Sequence, residues 1–349
     1  MYRLLTLLLA ALLALAGCTT ADDDAASDST EPTDVALTEE NAEDDTDAAG
    51  EDSPQDGPAE FPRTVHVPAG TEMDAEDVQV PAQPERIAAL TYETAVLVAE
   101  LGAADRLTMV PGPASNEVLS NHSADLDAVE HQAPTESGVS AEAVIAADPD
   151  LVLLNDRHGL EEGVGSVLGE AGIPVLVLPN TWSSVSEMTT NIDLVGTALG
   201  LDQAAAELTE TIEAGLVDAS DSGGQDDRPR VLVLSNQAGR PFVTAGGAFP
   251  LELLELAGAQ DASEALGMVR SGPISAEQVL AAEPDRILLV DMTGSGDAVF
   301  AELLNNQAVA GLPAVADHEV LLLEGKDVQA LGLSNTIAGR EQIAEWLAQ

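Results

Sequence analysis

The sequence predicts an α/β protein of two Rossmann-like lobes, each on a parallel-rich sheet, joined by a long rigid helix with a cleft left between them. Three observations lead there: an internal duplication, continuous apolar runs that alternate with helical segments, and an amphipathic stretch at 183–220 separating the two halves.

The duplication is the most informative. Residues 140–154 return as residues 275–289, with ten of fifteen positions identical and three more closely similar. Each copy opens on Ser-Ala-Glu (Ser140, Ser275) and leaves through Pro-Asp (Pro149-Asp150, Pro284-Asp285) into an apolar run. A serine before a short helical pattern is an N-cap, and Pro-Asp is a turn, so each copy reads as cap, two-turn helix, turn and buried strand. Further buried strands are expected at 87–90, 151–154 and 175–178, then at 231–234, 287–290 and 320–323. Uninterrupted apolar strands alternating with helices imply parallel sheets covered on both faces. The segments 93–105 and 251–261 are apolar helices, each closing on a Gly-Ala pair (Gly102-Ala103, Gly258-Ala259). Between the halves, Val185, Met188, Ile192, Val195 and Leu199 form one apolar stripe, and Leu201, Ala205, Leu208, Ile212 and Leu216 a second, with Gly200 marking a break or kink. A continuous helix here spans roughly 50 Å at 1.5 Å per residue.

The amino terminus addresses location. Arg3 precedes a run of Leu, Ala and Thr over residues 4–16, too short to span a bilayer but fitting a signal-peptide core. It ends in Leu15-Ala16-Gly17-Cys18, which resembles the lipobox of bacterial lipoproteins and predicts lipidation of Cys18; the alternative is an ordinary signal peptide with an incidental cysteine. Cys18 is the only cysteine, so no internal disulfide can form. Residues 19–60 hold 16 acidic side chains and no Lys or Arg, a composition that cannot repay its ordering entropy, and they are expected to be a disordered tether. The expected organisation is signal 1–17, tether 18–62, first lobe 63–182, linking helix 183–220 and second lobe 228–349. Residues 61–349 still carry 11 basic against 46 acidic side chains, within a total net charge of −50. That excludes nucleic acid as a partner and suits a saline medium that screens self-repulsion.

Taken in order, Thr64-Val65-His66-Val67, the Pro84-Glu85-Arg86-Ile87 strand start, Leu101-Gly102-Ala103, both Pro-Asp strands and Leu312-Pro313-Ala314-Val315 resemble the class III substrate-binding proteins of ABC importers, which serve ferric siderophores, haem and cobalamin. The resemblance runs over residues 64–348. It implies capture rather than catalysis: a monomer on the outer face of the cell membrane or in the periplasm, anchored in the bilayer through Cys18, that loads a small iron chelate and docks on a permease with its ATPase. No intrinsic cofactor is implied, the Fe(III) chelate being cargo.

Ligands of open α/β sheets sit beyond the carboxyl ends of the strands. On that rule the cleft candidates are Tyr92 after 87–90, Arg157 and His158 after 151–154, Trp182 after 175–178, Arg270 before Gly272-Pro273, and Lys326 and Gln329 after 320–323. The resemblance also implies acidic docking patches, placed here at Glu93 and Glu100 in the first lobe and at Glu252 and Glu255 in the second. A ferric siderophore is the favoured ligand. The stretch 135–139, where haem binders of the family carry an iron-ligating Tyr or His, has neither, although His122 and His131 in a polar loop keep haem open; cobalamin comes third. The spacing of His122, His131 and His158 matches no compact metal motif. The turn Thr293-Gly294-Ser295-Gly296-Asp297 is a dinucleotide-like Gly-x-Gly without its third glycine, since position 299 is Val. There is no nucleophile elbow and no clear Walker sequence; the resemblance implies one rival enzyme reading, a metal-chelatase-like protein, since related lobes occur in metal chelatases, and a purely structural surface protein is another.

Overall fold

The computed structural model describes residues 59–70, 74–155, 161–179, 182–217, 228–237 and 239–349. The expected export signal, Cys18 and nearly all of the acidic segment lie outside the described residues.

The first lobe opens with an antiparallel hairpin, β1 (Arg63–Val67) and β2 (Glu76–Val80). Val65, Val67, Val78 and Val80 alternate with polar residues and are buried, as the two-residue period of a half-covered ribbon requires. Then follow β3 (Ile87–Ala89), α1 (Tyr92–Glu100), β4 (Leu107–Pro111), α2 (Ser123–Asp127), β5 (His131–Ala133), α3 (Ala141–Ala146), β6 (Leu151–Asn155), α4 (Ser166–Glu170) and β7 (Val175–Leu178). The five strands from β3 to β7 pair in the order β5-β4-β3-β6-β7, all parallel.

The linking stretch departs from the expected single rod. It forms two helices, α5 (Val185–Leu199) and α6 (Asp202–Gly215), folded back on one another as a hairpin. Gly200 takes φ 67° and ends α5 in a left-handed cap, where a side chain is disfavoured. Gly196 lets the helices touch, since a Cβ there would fall 2.3 Å from that of Ala205. Eight residues either side of Leu201, the Thr209 hydroxyl donates to Asp193 at 3.5 Å. The closed end is fastened to the first lobe, with Arg63 donating to Asp202 at 2.7 and 2.8 Å and to the Thr197 carbonyl. Its open end meets the second lobe, where the Val185 amide donates to Glu252 and Gly215 lies against Ile337.

That lobe comprises β8 (Arg230–Gln237), β9 (Arg240–Val243), α7 (Phe249–Leu256), β10 (Gln260–Asp261), β11 (Gly272–Pro273), α8 (Ala276–Ala282), β12 (Arg286–Asp291), α9 (Ala301–Leu304), α10 (Pro313–Ala316), β13 (Val320–Glu324), α11 (Gly325–Val328) and α12 (Asn335–Leu347). Its sheet runs β11-β9-β8-β12-β13; β8, β12 and β13 are parallel, β9 and β11 antiparallel additions, and β10 pairs with β8.

The duplicated units therefore occupy separate sheets, one ending in β6 and one in β12. Ser140 and Ser275 cap their helices by accepting from the amides of Ala143 and Gln278. The Pro-Asp carboxylates do a further job. Asp150 accepts from the amides of Glu85 and Arg86 at the head of the first lobe's leading strand, and Asp285 accepts from the amide of Arg230 at the head of the second's. The arginines reply: Arg86 donates to the carbonyls of Ala147 and Asp148, and Arg230 to those of Ala282 and Glu283. Each arginine thus satisfies carbonyls orphaned at the end of a helix. The repeat consequently extends to Pro84-Glu85-Arg86 and Pro229-Arg230, and it explains the left-handed Asp148 and Glu283 (φ 52° and 44°) that turn the chain at the same place in each lobe.

Burial on both strand faces divides the core. Val152 and Leu154 pack with Val144 and Leu168 on one side of the first sheet, and Ile287 and Leu289 with Val279 and Phe300 on one side of the second. The alternate residues, Leu151 and Leu153 with Leu288 and Val290, join one cluster that runs through α5, α7 and α12 across both lobes. The lobes share a core instead of merely abutting.

Candidate ligand-binding site

The carboxyl ends of the strands face a cavity of about 310 Å³ where the lobes meet. Its first-lobe wall is Glu93, Trp182 and Ser183; its second-lobe wall is the stretch from Gly247 to Pro250, with Gln329, Ala330 and Leu331.

Local chemistry aims each wall. β3 runs directly into α1, whose start is fixed by the Thr91 and Thr94 hydroxyls 2.9 Å apart, placing Glu93 in the first helical turn. Glu93 is buried and accepts from the Nδ2 of Asn155, the last residue of β6, at 3.2 Å. Trp182 lies two residues before Ser184, the α5 cap. There Ser184 accepts from the amide of Glu187, while Glu187 accepts from the amide and hydroxyl of Ser183. This knot pins the indole, which is 8 % exposed. Two buried polar atoms have no partner among the described residues, the Trp182 Nε1 and the Asn155 Oδ1. Opposite them, α7 begins at Phe249 with Pro250 in its first turn, a place where proline's missing N–H costs nothing. The loop from Lys326 to Gly332 is wound so tightly that a Cβ on Gly332 would fall 1.6 Å from the Lys326 carbonyl oxygen.

The expected site residues divide accordingly. Trp182 and Gln329 line the cavity. Tyr92 is half-buried beside Glu93, its amide donating to Glu136 at 2.7 Å. Arg270 is exposed and outside the lining, although its backbone lies against Gly246, next to the cavity residue Gly247. Arg157 and His158, like the expected lipidation site Cys18, lie outside the described residues. Lys326 lies outside the lining: its Nζ donates to the Glu117 carbonyl and pairs with Glu324, both at 2.8 Å, while its amide donates to the Val118 carbonyl. It straps the second lobe to a first-lobe loop.

The acidic candidates need correction. Glu93 faces the cavity instead of an outer surface. Glu100 is held internally, accepting from His122 Nε2 at 2.6 Å and from the hydroxyl of Ser334 across the lobe boundary. Burial pushes the Glu100 carboxyl up, but the His122 and Ser334 hydrogen bonds outweigh it and hold it below the usual range; the same bond to Glu100 raises His122. Neither acid is available on an exposed helix face. Glu252 is half-buried, raised by burial, and accepts from the Val185 amide at 2.7 Å; Glu255 is exposed.

The glycine-rich turn after β12 closes on its own carboxylate. Asp291 accepts from the amides of Thr293, Gly294, Ser295 and Gly296 and from the Nδ2 of Asn236. Burial pushes Asp291 up, but these donors prevail and hold it below the ordinary aspartate range. The N–H groups that a phosphate would need are taken, which removes the dinucleotide reading of the turn. Sequence reasoning missed Ser183, Phe249, Pro250 and this network. Proline one residue into an apolar helix was the available signal for the second-lobe wall.

The periplasmic binding protein family matches residues 87–326. The chain belongs to that family. As a periplasmic binding protein it is a transport component and not an enzyme. A curated relative, the uncharacterized ABC transporter substrate-binding lipoprotein YvrC of Bacillus subtilis (strain 168), is 24% identical over 292 residues, covering 82% of this chain and 85% of its own. Among solved structures, the periplasmic heme-binding protein RhuT from Roseiflexus sp. RS-1, in apo form, superposes with a TM-score of 0.62 at 21% identity, covering 75% of this chain and 97% of its own. The ABC-type Fe3+-hydroxamate transport protein from Saccharomonospora viridis DSM 43017 gives a TM-score of 0.62 at 23% identity, covering 83% and 100%. Such periplasmic binding proteins differ in what they carry, so this chain's ligand must be argued from its own cleft.

Proposed function

We propose that the chain is the extracytoplasmic substrate-binding lipoprotein of an ABC importer, capturing an iron chelate, a ferric siderophore, and delivering it to a permease driven by its ATPase. The observation that carries this reading is the interlobe cavity at the strand tips, walled by a fixed indole on one side and by Phe249 and Pro250 on the other. A siderophore brings its own oxygen donors to the metal and asks the protein for shape, stacking and a few hydrogen bonds, which this cavity offers. Haem iron wants an axial His, Tyr, Met or Cys. Among the described residues lining the cavity there is none of these, which favours the siderophore over haem.

The shared core and the strap at Lys326 favour small rocking of the lobes over wide hinge closure. Glu255, with Glu252 one turn before it, is the proposed second-lobe docking patch. Lipidation of Cys18 would hold the protein on the outer membrane face, with the acidic segment as tether. Titrating the protein with ferric siderophores while following tryptophan emission, and weighing the complex by native mass spectrometry, tests the reading. A mass increment of one chelate with sub-micromolar affinity supports it; binding of haem alone, or of no iron chelate, refutes it. Cys18→Ser should move the protein from membrane to soluble fraction, and retention on membranes would refute the anchor.

A further inference from the structure

Residues 325–335 serve the cleft and the lobe boundary together. Gln329, Ala330 and Leu331 line the cavity. Both ends of the segment grip the first lobe. At one end Lys326 donates to the Glu117 and Val118 carbonyls, both at 2.8 Å, and a Cβ on Gly325 would fall 2.9 Å from the side chain of Leu119. At the other, the Ser334 hydroxyl donates to Glu100 and the Asn121 side chain donates to that of Asn335. Between them Leu331 packs with Val118 and Leu119 in a small buried cluster. Leu333 sits between wall and seam. Its backbone takes φ 48° and ψ −119°, and its side chain is wholly buried. A leucine keeps so unfavourable a conformation only where its surroundings over-determine it, and here they do. The Leu333 amide donates to the Ala330 carbonyl, the Leu333 carbonyl accepts from the amide and hydroxyl of Thr336, and Asn335 donates to the Gly332 carbonyl.

We propose that the seam holds Leu333 in this strained turn and thereby sets the cleft wall at residues 329–331, which makes Ser334 a positioning residue for a cavity it does not line. Loosening the tie to Glu100 lets the turn relax towards ordinary backbone. The wall moves with it, because Gly332 lies too close to the Lys326 carbonyl to absorb the change alone. The tie between the lobes and the shape of the cleft are then one property, carried by a single loop. The inference goes beyond the uptake reading and rests on it only where a chelate serves as the probe.

The test uses the full-length protein. Ser334→Ala removes the tie to Glu100, which keeps His122 as a partner at 2.6 Å. Hydrogen exchange at residues 329–333 should speed up by about tenfold in this variant, while β6 in the core of the first lobe keeps the parent rate. Leu333→Gly and Leu333→Ala both delete the buried side chain, but only glycine is at ease at this φ. The glycine variant should therefore keep the higher urea midpoint. Titration with a ferric trihydroxamate should show affinity about three- to tenfold weaker in Ser334→Ala, the cost of ordering a loosened wall. Unchanged exchange at 329–333, or a rise matched in β6, overturns the inference. So does a higher midpoint for Leu333→Ala, or equal affinity in Ser334→Ala for a trihydroxamate that the parent binds. A parent that does not bind the trihydroxamate counts against the uptake reading alone, and the exchange and unfolding results decide the inference without it.

Discussion

Replacing His122 with Ala should cost about 2 kcal/mol of stability near pH 6 and far less at pH 9. In the native structure the His122 ring bonds Glu100 at 2.6 Å, Asp125 stands 3.8 Å from its other nitrogen, and Glu100 also holds Ser334 across the lobe boundary. The side chains of His122 and Glu100 are 27% and 15% exposed, so the pair is mostly but not wholly shielded. A hydrogen bond to a charged group contributes about 1.5–3 kcal/mol, and partial exposure argues for the middle of that range. The pH dependence follows from the two shifts. His122 is raised, so its contribution is complete below the unfolded pKa of 6.5 and fades as pH climbs through the folded value. Glu100 is lowered, so its contribution is complete above 4.5 and fades as pH falls through its folded value. The pair is thus strongest between those limits. Urea unfolding of both proteins from pH 5 to pH 9 reads the gap, urea being preferable to guanidinium because it does not screen charges. At about 2–4 °C per kcal/mol for a body of this size, melting near pH 6 should drop by about 5 °C. A gap that stays constant from pH 5 to pH 9 would show that His122 contributes packing only and refute the ion-pair account.

Other perturbations read other parts of the structure. Trp182→Phe keeps the aromatic wall but deletes the unpartnered Nε1; chelate affinity should fall about five- to tenfold with folding intact, and equal affinity in dialysis would remove that donor from recognition. Gly339→Ala places a Cβ 1.7 Å from the Asp327 carbonyl oxygen, where backbone must shift, so a loss of about 2–3 kcal/mol is expected in urea unfolding. Gly311→Ala meets nothing within 4 Å and should stay within about 0.5 kcal/mol of the parent; a comparable loss in both would discredit the geometry. Because 62 acidic side chains face only 12 Lys and Arg, molar salt should raise the melting temperature, and calorimetry showing none of that rise would mean that self-repulsion is unimportant.

What the sequence made legible is what short-range chemistry controls. A serine before an apolar helix and a Pro-Asp before an apolar strand mean the same thing in any context, so both duplicated units, their sheets and the indole at the end of β7 were readable. The misreadings share the opposite cause. Gly200 was visible as a break, but whether the chain continues or doubles back depends on Gly196 meeting Ala205, a packing fact with no local signature. Lys326 reads as a cleft cation until the Glu117 carbonyl, 209 residues away, takes its ammonium. Glu100 reads as an exposed acid until Ser334, 234 residues away, closes over it.

The two lobes, alike in the device that joins helix to strand, differ at the strand tips. In the second lobe the polar groups at the ends of β8 and β12 satisfy one another: Asn236 donates to Asp291, Thr293 and Ser295, and accepts from the Met292 amide. The wall beside this network is mostly apolar, Phe249, Pro250 and Leu331, with Gln329 its polar member. In the first lobe the corresponding tip leaves the Asn155 Oδ1 and the Trp182 Nε1 unmatched among the described residues, in buried positions. A buried unmatched group costs about 1–3 kcal/mol, a penalty that a bound ligand or ordered water relieves. On the proposed uptake reading, the first lobe supplies the polar contacts at Trp182 and Asn155, and the second a mostly apolar wall in which Gln329 is the polar side chain among the described residues. It follows that truncations on the first wall should change which chelate binds, whereas truncating Phe249 to Ala should weaken every chelate by a similar factor.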